Sequence, residues 1–534
     1  MTLNEPVRAK ERTVDAETIY RRRWLTLAVL SLSLVIIGLD NTILNVALPT
    51  LSNELDASAS QLQWIVDSYI LVFAGILLTM GALGDRFGRK LALNIGLIIF
   101  GVTSVFAAFS DSANTLILAR AVMGIGGALI MPSTLSIITN IFKGAERGRA
   151  IAAWAAVAGL GIVIGPALGG WLLEHFFWGS IFLINVFVAS VAIILGFFLV
   201  PESKDPNATP LDPLGALLSI AGLVSLVYAI IEAPAKGWTD PVVVTAFVAA
   251  VILIGLFLWW DTRTEHPMLR LDFFKNPRFS AASGAVTLVF FAMFGTVFLL
   301  TQYLQYVLGF TPLEAGIRVM PIATMIIAAP LSARFVERVG TKIVVSTGLV
   351  IVAGSMAWLA TTNIDSGYGH VAITLVLLGI GMGTAMAPAT DSIMGSLPLA
   401  KAGVGSAMND TTRQIGGALG VAILGSILAS VYASGMGSAV AGLPPEAAGY
   451  AQDSIGGAYR VASQLGAAGE QLIAAANQSF VDAMSIAVWV AAGIALLGAV
   501  ITALFLPAKP LNVEGSAAAA DMETGDTNDP LGAT

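Results

Sequence analysis

Gly81-Ala82-Leu83-Gly84-Asp85-Arg86-Phe87-Gly88-Arg89-Lys90 interrupts a long apolar run, and Glu337-Arg338-Val339-Gly340-Thr341-Lys342 echoes its charged half in the second part of the chain. An acid, a base, a glycine and a closing base between apolar runs describe a tight charged turn joining two membrane helices. Two further echoes follow in the same order. Gly124-Ile125-Gly126-Gly127 with Pro132 and Thr134 returns as Gly379-Ile380-Gly381-Met382 with Pro388 and Thr390, and Gly165-Pro166-Ala167-Leu168-Gly169 returns as Gly416-Gly417-Ala418-Leu419-Gly420. Three echoes in one order mean that the chain is internally duplicated.

The composition says what is duplicated. Of 534 residues, 56% are hydrophobic and 11% charged, and the mean hydropathy is +0.83. An ordinary soluble domain is about 25% charged, so a water-soluble fold is excluded and the bilayer is the solvent. Spans of about 20 apolar residues are predicted at 24–48, 62–82, 91–109, 116–139, 150–173, 178–200, 214–231, 241–260, 279–301, 315–333, 343–361, 371–394, 404–431 and 481–506. The result is an all-α membrane protein of 14 transmembrane helices, with one six-helix bundle at 24–200 and its repeat at 279–506. The segment 201–278 is a linker carrying helices 7 and 8 as an inserted hairpin. The stretch 1–23 is an N-terminal segment, 432–479 a long loop with short capping helices, and 507–534 an acidic, small-residue tail read as disordered.

Basic residues alternate between the loops. Arg21, Arg22 and Arg23 precede the first span, and even-numbered loops carry Arg86, Arg89, Lys90, Lys143, Arg147, Arg149, Lys204, Arg263, Arg334, Arg338 and Lys342, among others; the opposite side has Lys236, Arg318 and Arg460. By the positive-inside rule both termini are expected in the cytoplasm. Absence of Cys and the presence of three His (His175, His266, His370) remove disulfides and the usual metal ligands. No metal, no cofactor and no catalytic residue is expected. The net charge of −7 reflects one loop and the tail and argues for no nucleic-acid partner. The dipeptide Gly-Lys that closes a nucleotide cradle is missing, and so are Gly-x-Ser-x-Gly and His-Glu-x-x-His, so the chain reads as no enzyme and no ATP-driven pump.

Ionisable residues inside spans carry the functional signal, because a charge at mid-bilayer costs at least about 2.5–3.5 kcal/mol. Asp40, Asp67 and Arg120 fall in helices one, two and four, at comparable depth in the half of the first bundle away from the termini. An unpaired buried cation is expensive, so Arg120 is expected to meet a carboxylate across the bundle, with Asp40 as the expected partner. For Asp40 the alternative is a bond to Asn41 or Thr42, and for Asp67 an interfacial carboxylate. Asp410 and Arg413 share a helix face at i,i+3, which an internal ion pair explains as well as a coupling role. Asp391 and Asp482 read as helix-end residues. Trp64, Tyr69, Phe73, Phe290, Phe291, Phe294, Phe298, Tyr303 and Tyr306 fit either an aromatic cavity or ordinary packing.

Gly81, Gly84, Asp85, Arg86, Gly88 and Arg89 give the charged turn the form of a conformational latch, in which the acid caps a neighbouring helix and locks the halves together. Gly161, Gly165, Gly169 and Gly170 give helix five a bare face for close packing, and Pro166 permits a bend; packing and gating both remain open for it.

Together these motifs resemble the major facilitator superfamily, and within it the fourteen-helix drug:proton antiporters. The carriers are Leu39-Asp40-Asn41-Thr42-Ile43-Leu44-Asn45-Val46-Ala47-Leu48-Pro49, the Gly81–Lys90 turn, Leu118-Ala119-Arg120 leading into Gly124-Ile125-Gly126-Gly127, and the Gly161–Gly170 stretch, which is similar to the family's antiporter motif. Arg413 departs from the family, whose members often carry a lone acid there. The resemblance implies a multi-pass bacterial plasma-membrane protein acting as a monomer. It would export hydrophobic, cationic small molecules (drugs, dyes, biocides) in exchange for protons by alternating access, driven by the proton gradient. The alternatives are export of an endogenous antibiotic, lipid or metabolite, and a non-transporting sensor on the same scaffold.

Overall fold

The structure is a computed structural model and describes residues 16–142, 144–205, 210–267, 269, 271–396 and 402–507. The expected tail, most of the N-terminal segment, and Lys143, Arg270, Lys401 and Lys509 lie outside the described residues.

Every described element is helical. In chain order they are α1 (Ala16–Glu54), α2 (Ala59–Phe87), α3 (Arg89–Ala108), α4 (Ala113–Ile141), α5 (Gly144–His175), α6 (Ser180–Leu199), α7 (Pro213–Lys236), α8 (Pro241–Asp261), α9 (Pro277–Gln302), α10 (Pro312–Val319), α11 (Thr324–Val339), α12 (Thr341–Leu359), α13 (Tyr368–Gly395), α14 (Ala402–Met436), α15 (Pro445–Asp453), α16 (Ile455–Gln464) and α17 (Ala467–Phe505). Among the described residues, thirteen helical segments are long and apolar enough to cross a membrane; α10 and α11 count as one, and α5 is a further long helix beside them. The first turns are closed by side chains. Ser58 and Ser112 form capping boxes with Gln61 and Thr115, and Asp212, Asp240 and Asn276 cap α7, α8 and α9, satisfying N–H groups that have no partner in a helix start.

Packing repeats between the halves. Helix α1 lies against α5 and α6, as α9 lies against α14 and α17; α4 lies against α2 and α3, as α13 lies against α11 and α12. The echoed glycines make the same crossings. A Cβ on Gly126 would stand 2.9 Å from the Gly96 carbonyl oxygen of α3, and one on Gly381 2.9 Å from the Gly348 carbonyl oxygen of α12. Small residues allow this backbone approach, which drives helix association where no hydrophobic effect operates. Phe106, Phe197, Phe198, Val251 and Leu504 are exposed on the perimeter, the lipid-facing surface of such a bundle.

The tenth span, predicted at 315–333, falls within one apolar stretch, Pro312–Val339, in which a 3-10 turn at Met320–Ala323 separates α10 from α11. Two expectations are corrected. The last helix starts at Ala467 rather than near 481, since the Ala-rich stretch before Val481 is a strong helix former. The loop expected at 432–479 is therefore shorter, and its short helices are α15 and α16.

Candidate functional site

Helix α1 brings Asp40, and α4 brings Arg120, to one point inside the first half. Both side chains are almost fully buried, at 3% and 1% exposure, and the Arg120 guanidinium donates to Asp40 Oδ2. Three more groups complete the cluster. Asn185 of α6 donates its amide to Asp40 Oδ1 at 3.0 Å, Arg120 Nε donates to the Ile65 carbonyl at 3.1 Å, and the guanidinium lies 4.4 Å from the Tyr69 ring centroid. Both carboxylate oxygens of Asp40 are thus bonded, and a buried charge pair persists only when its remaining hydrogen-bonding capacity is met in this way. Sequence reading missed Asn185. Its signal was present, as the one amide in a helix of mean hydropathy 2.7.

Asp67 sits on α2, fully buried, and neither oxygen has a hydrogen-bond partner among the described residues. It does not join the Asp40 cluster through any described bond. In the second half Arg413 Nη1 lies 3.6 Å from Asp410 Oδ1, Arg413 Nη2 reaches Thr390 Oγ1 at 3.3 Å, and the guanidinium lies 5.6 Å from the Phe290 ring centre. This is the i,i+3 pair, with a threonine of α13 holding the arginine. Asp391 is exposed, and Asp482 accepts from Gln478 on the surface of α17.

The aromatic residues are packed. Tyr69 and Phe73 press on Gly127, Phe294 lies against Gly417, and Phe291 lies against Gly420. A separate apolar groove of about 510 Å³ runs beside α11, α12 and α13, lined by Ile327, Leu331, Phe335 and Ile343 among others.

The charged turn binds within its own half and the linker. Asp85 accepts from Arg89 Nε at 2.7 Å, Arg89 Nη1 reaches the Ser136 carbonyl at 3.5 Å, and the backbones of Arg89 and Asp85 bond to Ser203 and Asp205. Gly81 and Gly84 face Pro132 and Ser133 of α4, and Arg86 lies in the last turn of α2. Gly88 joins α2 to α3 at φ 134°, and Gly340 joins α11 to α12 at φ 86°. This left-handed conformation explains why both copies of the turn hold glycine there. No described hydrogen bond of the turn reaches 279–506.

On α5, Gly161, Gly165 and Gly169 pack on Leu39, Thr42 and Ile43 of α1, the helix that carries Asp40. Gly170 and the Pro166 carbonyl instead meet α10, at Pro312 and Gly316, so this stretch touches both halves. Further cross-half bonds gather at the same end of the bundle, opposite the charged turns. Gln305 donates to the Val46 carbonyl at 2.8 Å, Tyr306 to Pro49 at 3.2 Å, and Leu313 N–H to Glu174 at 3.2 Å. The inserted hairpin joins at this end too, with Trp64 Nε1 of α2 donating to Glu232 of α7 at 3.1 Å and Ser426 of α14 to the Ile230 carbonyl.

Fold and site together define a multi-pass helical membrane protein of two repeated halves, with a buried ionic cluster in the first. The chain belongs to the major facilitator superfamily, whose family model matches residues 30–421. It is 38% identical over 483 residues to the multidrug efflux pump LfrA of Mycolicibacterium smegmatis, covering 90% of this chain and 95% of the relative. The tetracenomycin C resistance and export protein of Streptomyces glaucescens is 32% identical, with 92% and 93% covered, and the methyl viologen resistance protein SmvA of Salmonella typhimurium 34%, with 90% and 97% covered. Among solved structures, a bacterial homologue of the human lysosomal transporter Spinster, inward-facing and unoccupied, superposes with a TM-score of 0.62 at 19% identity, covering 90% of this chain and 98% of that one. The protein is a multi-pass plasma-membrane transporter with multidrug efflux and resistance relatives, and those relatives are transporters rather than enzymes.

Proposed function

We propose that this transporter exports hydrophobic, cationic small molecules in exchange for protons by rocking of its two halves. In this reading α5 counts as a span, giving the fourteen-helix plan; the halves divide at 24–200 and 279–506, and both chain ends face the cytoplasm. The observation that carries it is the pair of buried carboxylates in the first half, one fully partnered and one with no hydrogen-bond partner among the described residues. Arg120 and Asn185 bond both oxygens of Asp40, while both oxygens of Asp67 stay buried and unbonded there. A cation entering beside either acid competes with a proton for the same charge, so drug and proton bind alternately.

The cross-half bonds at the end away from the termini support an arrangement closed toward the outside. Rocking would break them, while the glycine face of α5 carries α1, and with it Asp40, against α10. Separation of Asp40 from Arg120 in that movement would free its carboxylate for another partner.

The relative named for tetracenomycin C resistance and export favours a second reading with the same mechanism, in which the cargo is an endogenous antibiotic or metabolite. Ethidium efflux from cells expressing the protein, with and without a protonophore, tests the main reading. Efflux that the protonophore abolishes is expected. Efflux that continues unchanged removes proton coupling, and no efflux of ethidium or methyl viologen favours the second cargo.

A further inference from the structure

Helices α15 and α16 form a hairpin seated across the end of the bundle where the halves are bonded. Arg460 of α16 pairs with Asp56 and donates to the Ser52 and Asn53 carbonyls at the end of α1, at 2.8 and 3.4 Å. Tyr459 donates to the Tyr306 carbonyl at 2.6 Å, and Tyr432 of α14 to the Ala451 carbonyl at 3.1 Å. The first arm ends in Asp453, whose Oδ2 accepts the N–H of Ala59, the opening residue of α2, at 2.9 Å.

Asp453 is a wall shared by two cavities. One, about 350 Å³, is lined by Asp56, Glu446, Tyr450 and Arg460, of which Asp56, Glu446 and Tyr450 are exposed, so it opens to solvent. The other, about 20 Å³, lies on the inner side between Asp453, Gln63, Gln302 and Tyr432, and has room for a water molecule. Gln63 is buried there, and its Oε1 has no hydrogen-bond partner among the described residues. Ala59, Gln63 and Asp67 follow one another at i, i+4 and i+8 on one stripe of α2, so Asp67 lies about 12 Å below Ala59 along the helix axis at 1.5 Å per residue. Solvent, Asp453, a water-sized cavity and an amide whose oxygen is unbonded therefore follow in order, with the Asp67 carboxyl one helical turn beyond Gln63 on the same stripe.

Resting on the proton-coupled reading above, we propose that Asp453 is the proton-uptake residue of this transporter, delivering protons from the outer vestibule to Asp67. A hydronium ion in the vestibule loses a proton to an Asp453 oxygen and leaves as water. Asp453 then gives its proton to a water in the inner cavity, oriented by Gln63, and a proton leaves that water to travel the one helical turn along α2 to an Asp67 oxygen. Asp453 ends ionised, again accepting from Ala59.

The surroundings suit this task. Burial pushes the Asp453 carboxyl up from its ordinary range, against the opposing effect of the Ala59 N–H. The facing charged groups are few: the Asp56–Arg460 pair, the Glu446 carboxylate across the vestibule, and the Tyr432 hydroxyl from α14. Arg460 is engaged by Asp56 and two carbonyls, and no described bond joins it to Asp453.

Capping α2 needs only an acceptor, which asparagine supplies; carrying a proton needs a carboxyl. The test uses full-length protein in vesicles with the hairpin facing the lumen, following ethidium accumulation driven by a lumen held more acidic than the medium. Asp453→Asn is expected to slow accumulation on the order of tenfold at neutral luminal pH, with recovery as the lumen is acidified, and Asp453→Glu to restore the rate. Ethidium binding in detergent should be equal in all three. Wild-type rates for Asp453→Asn at every luminal pH overturn the proposal. So does failure of Asp453→Glu to exceed Asp453→Asn, or loss of ethidium binding with the rate, since each marks a structural role. If the wild-type protein itself ignores the luminal proton gradient, the proton-coupled reading falls and takes this inference with it.

Discussion

Asp40 and Arg120, eighty residues apart in the chain, form a buried ion pair that Asn185 completes from a third helix. Removing one partner leaves an uncompensated charge in low dielectric, which costs about 3–5 kcal/mol. Arg120→Ala should therefore lower thermal stability in detergent and uncouple drug from proton flux, while Arg120→Lys keeps part of both. A double-mutant cycle with Asp40→Asn separates the effects: the double variant should regain stability relative to Arg120→Ala yet remain inactive in ΔpH-driven ethidium transport. Normal transport against a gradient by Arg120→Ala would remove the pair from the mechanism.

Asn185→Leu tests the third member. The lost amide is a hydrogen bond to a charged group, worth about 1.5–3 kcal/mol. Its removal should lower thermal stability in detergent and slow efflux, while ethidium affinity changes little. Unchanged stability and rate would mean that Asn185 only fills space.

Asp67→Asn is expected to weaken export of cationic compounds more than neutral ones, because a Coulomb attraction in low dielectric is lost. Efflux of ethidium and of an uncharged dye, measured side by side, checks this. Equal losses would place the defect in coupling or folding.

The charged turn should govern turnover rather than affinity, since its bonds run to α4 and the linker, far from the acids. Asp85→Asn should reduce the efflux rate with ethidium binding intact. Gly88→Ala should do the same and also lower stability, because alanine is strained at φ 134° and its methyl would meet Glu202. A large fall in binding at normal turnover contradicts both.

Docking of the α15–α16 hairpin should weaken as external pH rises. The Asp453 carboxyl is raised in the docked state, so docking binds a proton more tightly than release does; it is favoured at low pH and loses that contribution as pH rises through the docked value. Hydrogen exchange of the 445–464 amides, corrected for intrinsic pH dependence, should report faster opening as pH rises from the ordinary carboxyl range through the docked value. Asp453→Asn should flatten the response, and a protection pattern independent of pH in wild type would refute the linkage.

Composition and repetition determined much of this protein before any coordinates. Low charge and long apolar runs leave only helices as spanning elements, because backbone groups in lipid must bond internally. The echoes around Gly88 and Gly340 predicted two related halves, and the depth of Asp40 and Arg120 predicted their meeting, since an unpaired charge there is too costly. Tertiary structure alone decided what depends on distant segments touching. That Asn185 bonds Asp40, that Asp67 finds no hydrogen-bond partner among the described residues, and that Asp453 caps α2 while walling two cavities follow from how helices rotate and cross. Periodicity cannot give those rotations in a chain whose helices are apolar all round. Likewise the start of the last helix at Ala467 was hidden, because hydropathy marks where a helix lies in lipid and not where it begins.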